Sequence, residues 1–190
     1  MYKRVYWKIN YKKIELILNF FIWCKSKMIK YLSKKIIPVE NFTEELLDNH
    51  EECKYEKETQ YMLYFDGCSK GNPGLGGAGA VLYKDGQEVW GSSQLVGDKV
   101  TNNVAEYSGL IMGLQEVFVR KIKNILVRGD SQLVIKQMKG EYKVKSSSLV
   151  EYYQQAKLLE SYFDKIVFEH VYRDKNKRAD ELSNMALDLS

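Results

Sequence analysis

The sequence predicts an α/β fold in which a five-stranded mixed sheet carries helices on both faces. Two observations lead to this fold class. Three consecutive apolar runs, two of them joined by an Asp-Gly pair, are typical of an antiparallel meander that contains a β-hairpin. After them, helical and strand periodicities alternate towards the C-terminus, which is typical of strands joined by crossover helices.

The first three strands are predicted from short apolar runs and the turns between them. Tyr61–Phe65 is an aromatic-rich run that is expected to end at Asp66. A glycine-rich stretch follows it, and its glycines permit sharp turns and close approach of another backbone. Ala78–Tyr83 and Glu88–Gln94 flank the turn residues Lys84–Gln87, so they are predicted to pair as a hairpin.

The second half of the domain is predicted to alternate helices with strands. Thr101, Asn102 and Asn103 are capping residues ahead of a helix over 104–119, whose apolar residues recur at helical spacing. The elements that follow are a strand over 122–128, helices over 132–138 and 149–162, a strand over 165–171 and a last helix over 179–187.

Charge divides the chain into three segments. The net charge is +4, yet residues 1–38 hold ten Lys and Arg against one acid, and residues 39–59 hold two against eight acids. The remaining residues are almost neutral, with seventeen basic and sixteen acidic side chains. An apolar content of 45% excludes a mainly disordered chain. We predict a basic N-terminal arm rich in apolar and aromatic residues (1–38), an acidic connector (39–59) and one domain (60–190).

The basic arm leaves several roles open. Its apolar stretch 14–24 has eleven residues, too few to span a bilayer, and no small-residue cleavage site follows it. The stretch is predicted to form a short amphipathic helix that lies on a membrane surface or packs on the domain, and a disordered or loosely docked extension is an alternative for the arm as a whole. Targeting to an organelle and contact with nucleic acid also remain open, as does a translated leader if Met28 or Met62 is the true start.

The cysteines point to a reducing compartment. Cys24, Cys53 and Cys68 are widely spaced and form no C-x-x-C pair, so neither a disulfide framework nor a zinc knuckle is indicated. We expect an intracellular protein of the cytoplasm, or of the nucleus or an organelle in a eukaryote. No obligate protein partner is evident, and a monomer is expected.

Four carboxylates occupy positions where catalytic groups are found in α/β folds. Asp66 and Asp130 follow strands expected to be central, at the sheet edge where such folds bind ligands. Glu106 and Asp180 lie in the first turns of helices, where an acid also complements the helix dipole. Clustered carboxylates repel one another unless a cation neutralises them. Hard oxygen ligands suit Mg²⁺ or Mn²⁺, and a pair of such ions is used for phosphodiester cleavage.

The motifs around these acids resemble ribonuclease H of type 1. Four blocks carry the resemblance in that family's order, and together they cover the chain from about residue 60 to its end. They are residues 66–74 (DGCSKGNPG), 101–106 (TNNVAE), 129–134 (GDSQLV) and 176–184 (NKRADELSN). The resemblance implies a ribonuclease H-like fold and identifies residues 60–190 as a ribonuclease H catalytic domain.

The resemblance also implies roles for particular residues. The catalytic, metal-binding acids would be Asp66, Glu106, Asp130 and Asp180, holding two Mg²⁺ ions, with Mn²⁺ as a substitute. Exposed amides would test the RNA strand for its 2′-hydroxyls, which both donate and accept hydrogen bonds. The implied substrate contacts are Asn72, Asn103 and Gln132 to the RNA strand, and Thr101 and Asn102 to the DNA strand.

Two features depart from many members of the family. The chain has only His50 and His170, so the loop before Asp180 carries no histidine, and His170 is expected to be a packed or edge residue of a strand. The Trp- and Lys-rich protrusion that some members insert after the second helix is also missing. The chain therefore resembles the protrusion-less branch of the family.

The activity implied is endonucleolytic cleavage of the RNA strand of an RNA–DNA hybrid by two-metal-ion hydrolysis, leaving 5′-phosphate and 3′-hydroxyl ends. Two alternatives stay open: a non-cleaving nucleic-acid-binding module of the same fold, and another nuclease of that fold, such as a 3′–5′ exonuclease. The exonuclease pattern requires Asp-x-Glu at the first strand, where this chain has Asp66-Gly67-Cys68.

Overall fold

A computed structural model of the chain describes residues 60–188. The predicted arm and connector lie outside the described residues, so the division of the chain into three segments stays a prediction. None of the helices in the described part is long and apolar enough to span a bilayer.

The described residues form the predicted mixed sheet of five strands with helices on both faces. The strands lie in the order β3-β2-β1-β4-β5, antiparallel from β3 to β1 and parallel from β1 to β5. The strands are β1 (Tyr61–Gly71), β2 (Gly74–Lys84), β3 (Gln87–Val100), β4 (Asn124–Gly129) and β5 (Lys165–His170). The helices are α1 (Asn102–Val119), α2 (Gln132–Met138), α3 (Ser147–Glu160) and α4 (Lys177–Asp188).

The prediction that the first strand ends at Asp66 is wrong. Strand β1 continues to Gly71, and β2 already begins at Gly74, so most of the glycine-rich stretch is strand and not turn. The antiparallel pairing of β1 with β2 persists to the Gly71–Gly74 pair, whereas the parallel pairing with β4 ends at Phe65 and Gly129. Asp66 therefore lies within β1, just past the point where its parallel neighbour ends.

The glycines of β2 let helix α4 lie directly on the sheet. A Cβ atom on Gly79 would lie 2.4 Å from the backbone oxygen of Ala179, which is closer than any real contact. Val81, Ala179 and Leu182 form the buried cluster between α4 and the sheet. Of the two roles that the sequence allowed these glycines, close approach of another backbone is therefore confirmed at Gly79.

Helix α1 packs on the opposite face of the sheet. It starts two residues earlier than predicted, with Thr101 as its N-cap, and the Thr101 hydroxyl accepts a hydrogen bond from the Val104 amide at 3.4 Å. Leu63 and Phe65 of β1 and Leu110 and Leu114 of α1 are fully buried members of the core. Residues 139–146, between α2 and α3, contain no helix. Assignment to the protrusion-less branch stays a prediction.

Candidate active site

Three of the four predicted catalytic acids converge at the carboxyl edge of the parallel strands. Carboxylate oxygens of Asp66, Glu106 and Asp130 all lie within 4.8 Å of one another. Asp66 and Glu106 are buried, at 5% and 6% exposure, and Asp130 is half-buried. The three side chains come from β1, α1 and the residue after β4, so three separate elements build this acidic cluster.

Two glycines bring the first two acids together. A Cβ on Gly67 would lie 2.1 Å from the backbone nitrogen of Glu106, and a Cβ on Gly109 would lie 2.4 Å from the backbone oxygen of Asp66. Only glycine allows the two backbones to approach this closely. Helix α1 therefore touches β1 at Asp66, which places the Glu106 carboxylate beside the Asp66 carboxylate.

Burial and mutual repulsion favour the protonated acids. Burial raises the pKa of Asp66 to about 6, with further increases from the charges of Asp130 and Asp180. Burial is also the largest cause that raises the pKa of Glu106 well above its ordinary value, and the charges of Asp66 and Asp130 add to it. The cluster therefore holds more negative charge than its surroundings stabilise, unless a proton or a cation is bound.

Asp180 lies near the acidic cluster but is not a member of it. It stands in the first turn of α4, and its Oδ1 accepts a hydrogen bond from the guanidinium of Arg173 at 2.5 Å. Arg173 belongs to a short 3₁₀ turn, Arg173–Lys175, between β5 and α4. The fourth predicted acid is thus present at the site with an arginine as its counter-ion.

Asn176 orients Asp130, and the sequence assigned it no role. Its side chain is 1% exposed, and its Nδ2 donates hydrogen bonds to the Phe65 backbone oxygen at 2.9 Å and to Asp130 Oδ1 at 2.8 Å. Asn176 is the first residue of the last matched block, so its place in the motif was visible. Its contact with Phe65 spans 111 residues and could not be read from the sequence.

Ser183 performs a similar task for Asp66. Its fully buried hydroxyl lies 2.6 Å from Asp66 Oδ2 and 2.9 Å from the backbone oxygen of Asp180. Donation to the Asp66 carboxylate favours its charged form and lowers its pKa, in opposition to burial. Ser183 therefore ties the acid of β1 to the first turn of α4.

Four of the five predicted substrate contacts are exposed side chains near the carboxyl edge, and the fifth, Thr101, is partly buried. Asn72 lies in the turn between β1 and β2, and its Oδ1 accepts a hydrogen bond from the Asn102 backbone nitrogen at 3.1 Å. Asn102 and Asn103 are exposed in the first turn of α1, behind the partly buried Thr101. Gln132 is exposed at the start of α2, two residues after Asp130. Their roles in binding stay predictions.

His170 is the last residue of the edge strand β5, consistent with the predicted place in a strand. It is exposed, and its Nε2 lies 3.2 Å from the backbone oxygen of Asp130.

The acidic cluster fits a divalent metal ion. Glu106 Oε2 is buried and has no hydrogen-bond partner, so this oxygen faces no protein donor and is available to a cation. A buried carboxylate oxygen without a donor is costly unless a cation neutralises it. Three carboxylates within 4.8 Å supply the hard oxygen ligands that such cations prefer.

Comparisons with known proteins agree with the fold. A family model described as "Reverse transcriptase-like" matches residues 64–186. The bifunctional protein Rv2228c of Mycobacterium tuberculosis is 44% identical over 130 residues, which are 68% of this chain and 36% of that protein. Ribonuclease HI of Halobacterium salinarum is 42% identical over 126 residues, 66% of this chain and 63% of that protein.

A solved structure supports the same conclusion. LC11-RNase H1, in complex with an RNA/DNA hybrid, matches with a TM-score of 0.64 at 39% identity and covers 69% of this chain and all of that chain. The chain spans about a third of the length of the first relative and less than two thirds of the second.

The strand order and the acidic cluster at the carboxyl edge of the sheet define a ribonuclease H-like fold. With the matches to sequence and structure added, the chain belongs to the ribonuclease H type 1 family.

Proposed function

We propose that the protein is an endoribonuclease that cuts the RNA strand of RNA–DNA hybrids. The observation that carries the proposal is the convergence of Asp66, Glu106 and Asp130 within 4.8 Å, in a chain of the ribonuclease H family. The relatives named ribonuclease HI and the hybrid-bound LC11-RNase H1 support the substrate class. Two Mg²⁺ ions are the expected cofactors, since carboxylate oxygens are the ligands that this cation prefers.

The residues of the chain have distinct tasks in this reaction. Asp66, Glu106 and Asp130 would hold the cations, and Asp180 would join them from α4. Bound divalent cations supply Lewis acidity, which favours ionisation of the attacking water and stabilises negative charge on the leaving 3′ oxygen. Asn176 and Ser183 keep the carboxylates of Asp130 and Asp66 oriented by hydrogen bonds of 2.8 and 2.6 Å.

The exposed amides around the site would read the RNA strand. Asn72, Asn103 and Gln132 carry both donors and acceptors, which match a 2′-hydroxyl in either role. The side chain of Asn72 also contacts the first turn of α1, since its Oδ1 accepts a hydrogen bond from the backbone amide of Asn102. The β1–β2 turn and the start of α1 therefore form one surface on which the backbone of a duplex can rest.

A cleavage assay with matched variants tests the proposal. Wild-type protein with Mg²⁺ is expected to cut an end-labelled RNA–DNA hybrid at internal positions and to leave double-stranded RNA and DNA intact. Asp130→Asn is expected to abolish cleavage. Asp164→Asn makes the same change in an exposed acid just before β5, at the amino ends of the parallel strands and away from the acidic cluster. This variant should cut like wild type.

Three results would contradict the proposal. Wild-type cleavage rates in Asp130→Asn would show that the acidic cluster is not the catalytic site. Stepwise trimming from one end would indicate an exonuclease of the same fold. Tight hybrid binding by the wild-type protein without cleavage would indicate a binding module.

The basic arm is proposed to add phosphate contacts in the full-length protein. Residues 1–38 carry nine net positive charges, and each phosphate contact steepens the loss of affinity with salt. A variant in which Lys3, Arg4, Lys8, Lys12 and Lys13 become Gln should bind hybrid with a shallower salt dependence. Equal slopes would argue against a tether and leave the arm with a targeting role, or none. The full-length protein is expected to sediment as a monomer. Imaging of the tagged chain is expected to place it in a reducing compartment.

A further inference from the structure

Arg173 is a cation that acts on the acidic site in the described part of the chain. Its guanidinium donates to Asp180 Oδ1 at 2.5 Å, and its charge also lowers the pKa of Glu106. Arg178, in the first turn of α4, forms its ion pairs with Glu88 and Glu181 instead. Between these two arginines, Arg173 is therefore the one whose charge acts on the four acids that are expected to hold divalent cations.

The backbone beneath Arg173 is anchored while its side chain is free to move. The 3₁₀ turn closes with hydrogen bonds from Lys175 N to Tyr172 O at 2.8 Å and from Asn176 N to Arg173 O at 3.0 Å. Buried Asn176 then fixes the end of the turn to β1 and to Asp130. The Arg173 side chain, in contrast, is 75% exposed, so it can leave Asp180 without any movement of the backbone.

The ion pair between Arg173 and Asp180 is weak enough for a divalent cation to replace it. An exposed pair of single charges is screened by water and salt, so it contributes little free energy. A divalent cation that approaches the same carboxylate brings twice the charge and is attracted by the neighbouring acids as well. Arg173 and a divalent cation that both lay against the Asp180 carboxylate would repel each other, so binding of one disfavours binding of the other.

We propose that Arg173 is a resident counter-ion of Asp180, which a divalent cation must displace before Asp180 can serve as a metal ligand. The inference rests on the proposed function in that Asp180 is taken as a ligand. It makes Arg173 a positioning residue that regulates occupation of the site. It also assigns a role to the segment between β5 and α4, which carries no histidine before Asp180.

Calorimetric titration of the full-length protein with Mn²⁺ tests this inference without substrate. Arg173→Ala removes the competing charge and is expected to tighten Mn²⁺ binding by about two- to fivefold, the range expected for an exposed ion pair. Arg173→Lys keeps a competing charge and should stay near the wild-type affinity. Arg178→Ala removes the same charge from the neighbouring helix turn and should change the affinity by less than about 1.5-fold, because distant exposed charges are screened.

A double-mutant cycle isolates the contact itself. In an Asp180→Asn background the competing pair no longer exists, so Arg173→Ala should alter Mn²⁺ affinity much less there, with only its longer-range action on the other acids left. The inference is overturned if Arg173→Ala weakens or does not alter binding, if Arg178→Ala has an equal effect, or if the effect of Arg173→Ala is equally large with Asp180→Asn.

Hybrid cleavage by the wild-type protein, measured on the same preparation, separates this inference from the proposed function. A wild-type protein that shows the coupling between Arg173 and Asp180 but cuts no hybrid refutes the proposed function alone. One that cuts hybrid without the coupling refutes the role of Arg173 alone.

Discussion

Replacing Asn176 with aspartate turns a buried hydrogen-bond donor of the site into an acid of the same shape. Asn176 Nδ2 donates to the Phe65 backbone oxygen and to Asp130 Oδ1, and the side chain is 1% exposed. An ionised Asp at this position can donate neither bond. It would also place a second negative charge in contact with Asp130, with no solvent to screen it.

The expected loss of stability is large and depends on pH. Two carboxylates about 4 Å apart repel by about 4 kcal/mol at an effective dielectric constant near 20, and losing the donor to Phe65 O costs about 1–3 kcal/mol. At pH 8 the Asn176→Asp protein should therefore be about 5 kcal/mol less stable than wild type, a large share of a typical unfolding free energy. Near pH 5 the new acid can hold a proton and donate one bond, so the loss should fall to about 1–2 kcal/mol.

The direction of the pH dependence follows from linkage. Burial and the neighbouring charge raise the folded-state pKa of the new acid above its unfolded value of about 3.9. A folded state that binds the proton more tightly is favoured in acid, and its advantage is lost as pH rises through the folded pKa. Asn176→Ala carries no acid, so its loss of about 2–4 kcal/mol should be the same at both pH values.

Urea denaturation at pH 5 and pH 8 in EDTA measures these differences, each relative to wild type at the same pH. EDTA keeps cations from neutralising the new charge. Asn124→Asp, at an exposed site at the start of β4, is the matched control and should change stability little at either pH. Equal losses for Asn176→Asp at the two pH values, or a smaller loss than for Asn176→Ala at pH 8, would refute the hydrogen-bonding scheme assigned to Asn176.

Three further predictions concern the same site. In EDTA, the unfolding free energy should fall by up to about 3 kcal/mol between pH 4 and pH 7, because burial raises the folded pKa of Asp66 to about 6. Added Mg²⁺ should restore more stability at pH 8 than at pH 5, and thermal melts showing the opposite order would contradict this. Ser183→Ala removes the donor that lowers the Asp66 pKa, so the acidic limb of the kcat/KM profile should move up by about one pH unit; an unmoved limb would exclude this role. Gly109→Ala places a methyl group 2.4 Å from the Asp66 backbone oxygen and should destabilise the protein by about 1–3 kcal/mol in urea and reduce hybrid cleavage, whereas wild-type values for both would argue against the close α1–β1 contact.

Much of the fold was predictable because its signals are local. The Asp-Gly pair at Asp85 and Gly86 marked the β2–β3 hairpin, and helical spacing of apolar residues marked α1. The order of elements then limited the topology, since a meander followed by crossovers builds one mixed sheet. The extent of β1 was not predictable in this way. Its last five residues are glycine-rich, and only their pairing with β2 makes them a strand.

For the candidate site, too, some features were predictable from the sequence and others were not. The sequence alone determined which acids are candidates for the site: Asp66, Glu106, Asp130 and Asp180. It also determined the family, because the motifs around these acids are defined by residue type and spacing, which can be read without the fold. The grouping of three of these acids and the pairing of the fourth with Arg173 were decided only by the tertiary structure.

The contacts that orient the acids belong to the tertiary structure as well. Asn176 reaches Phe65 across 111 residues, and Ser183 reaches Asp66 across 117. Such contacts depend on how closely α1 and α4 approach the sheet at its glycines, and a local sequence pattern carries no information on distances between elements. The sequence therefore determined which chemical groups the protein has for its reaction. The packing of two helices on one sheet decided which of those groups meet.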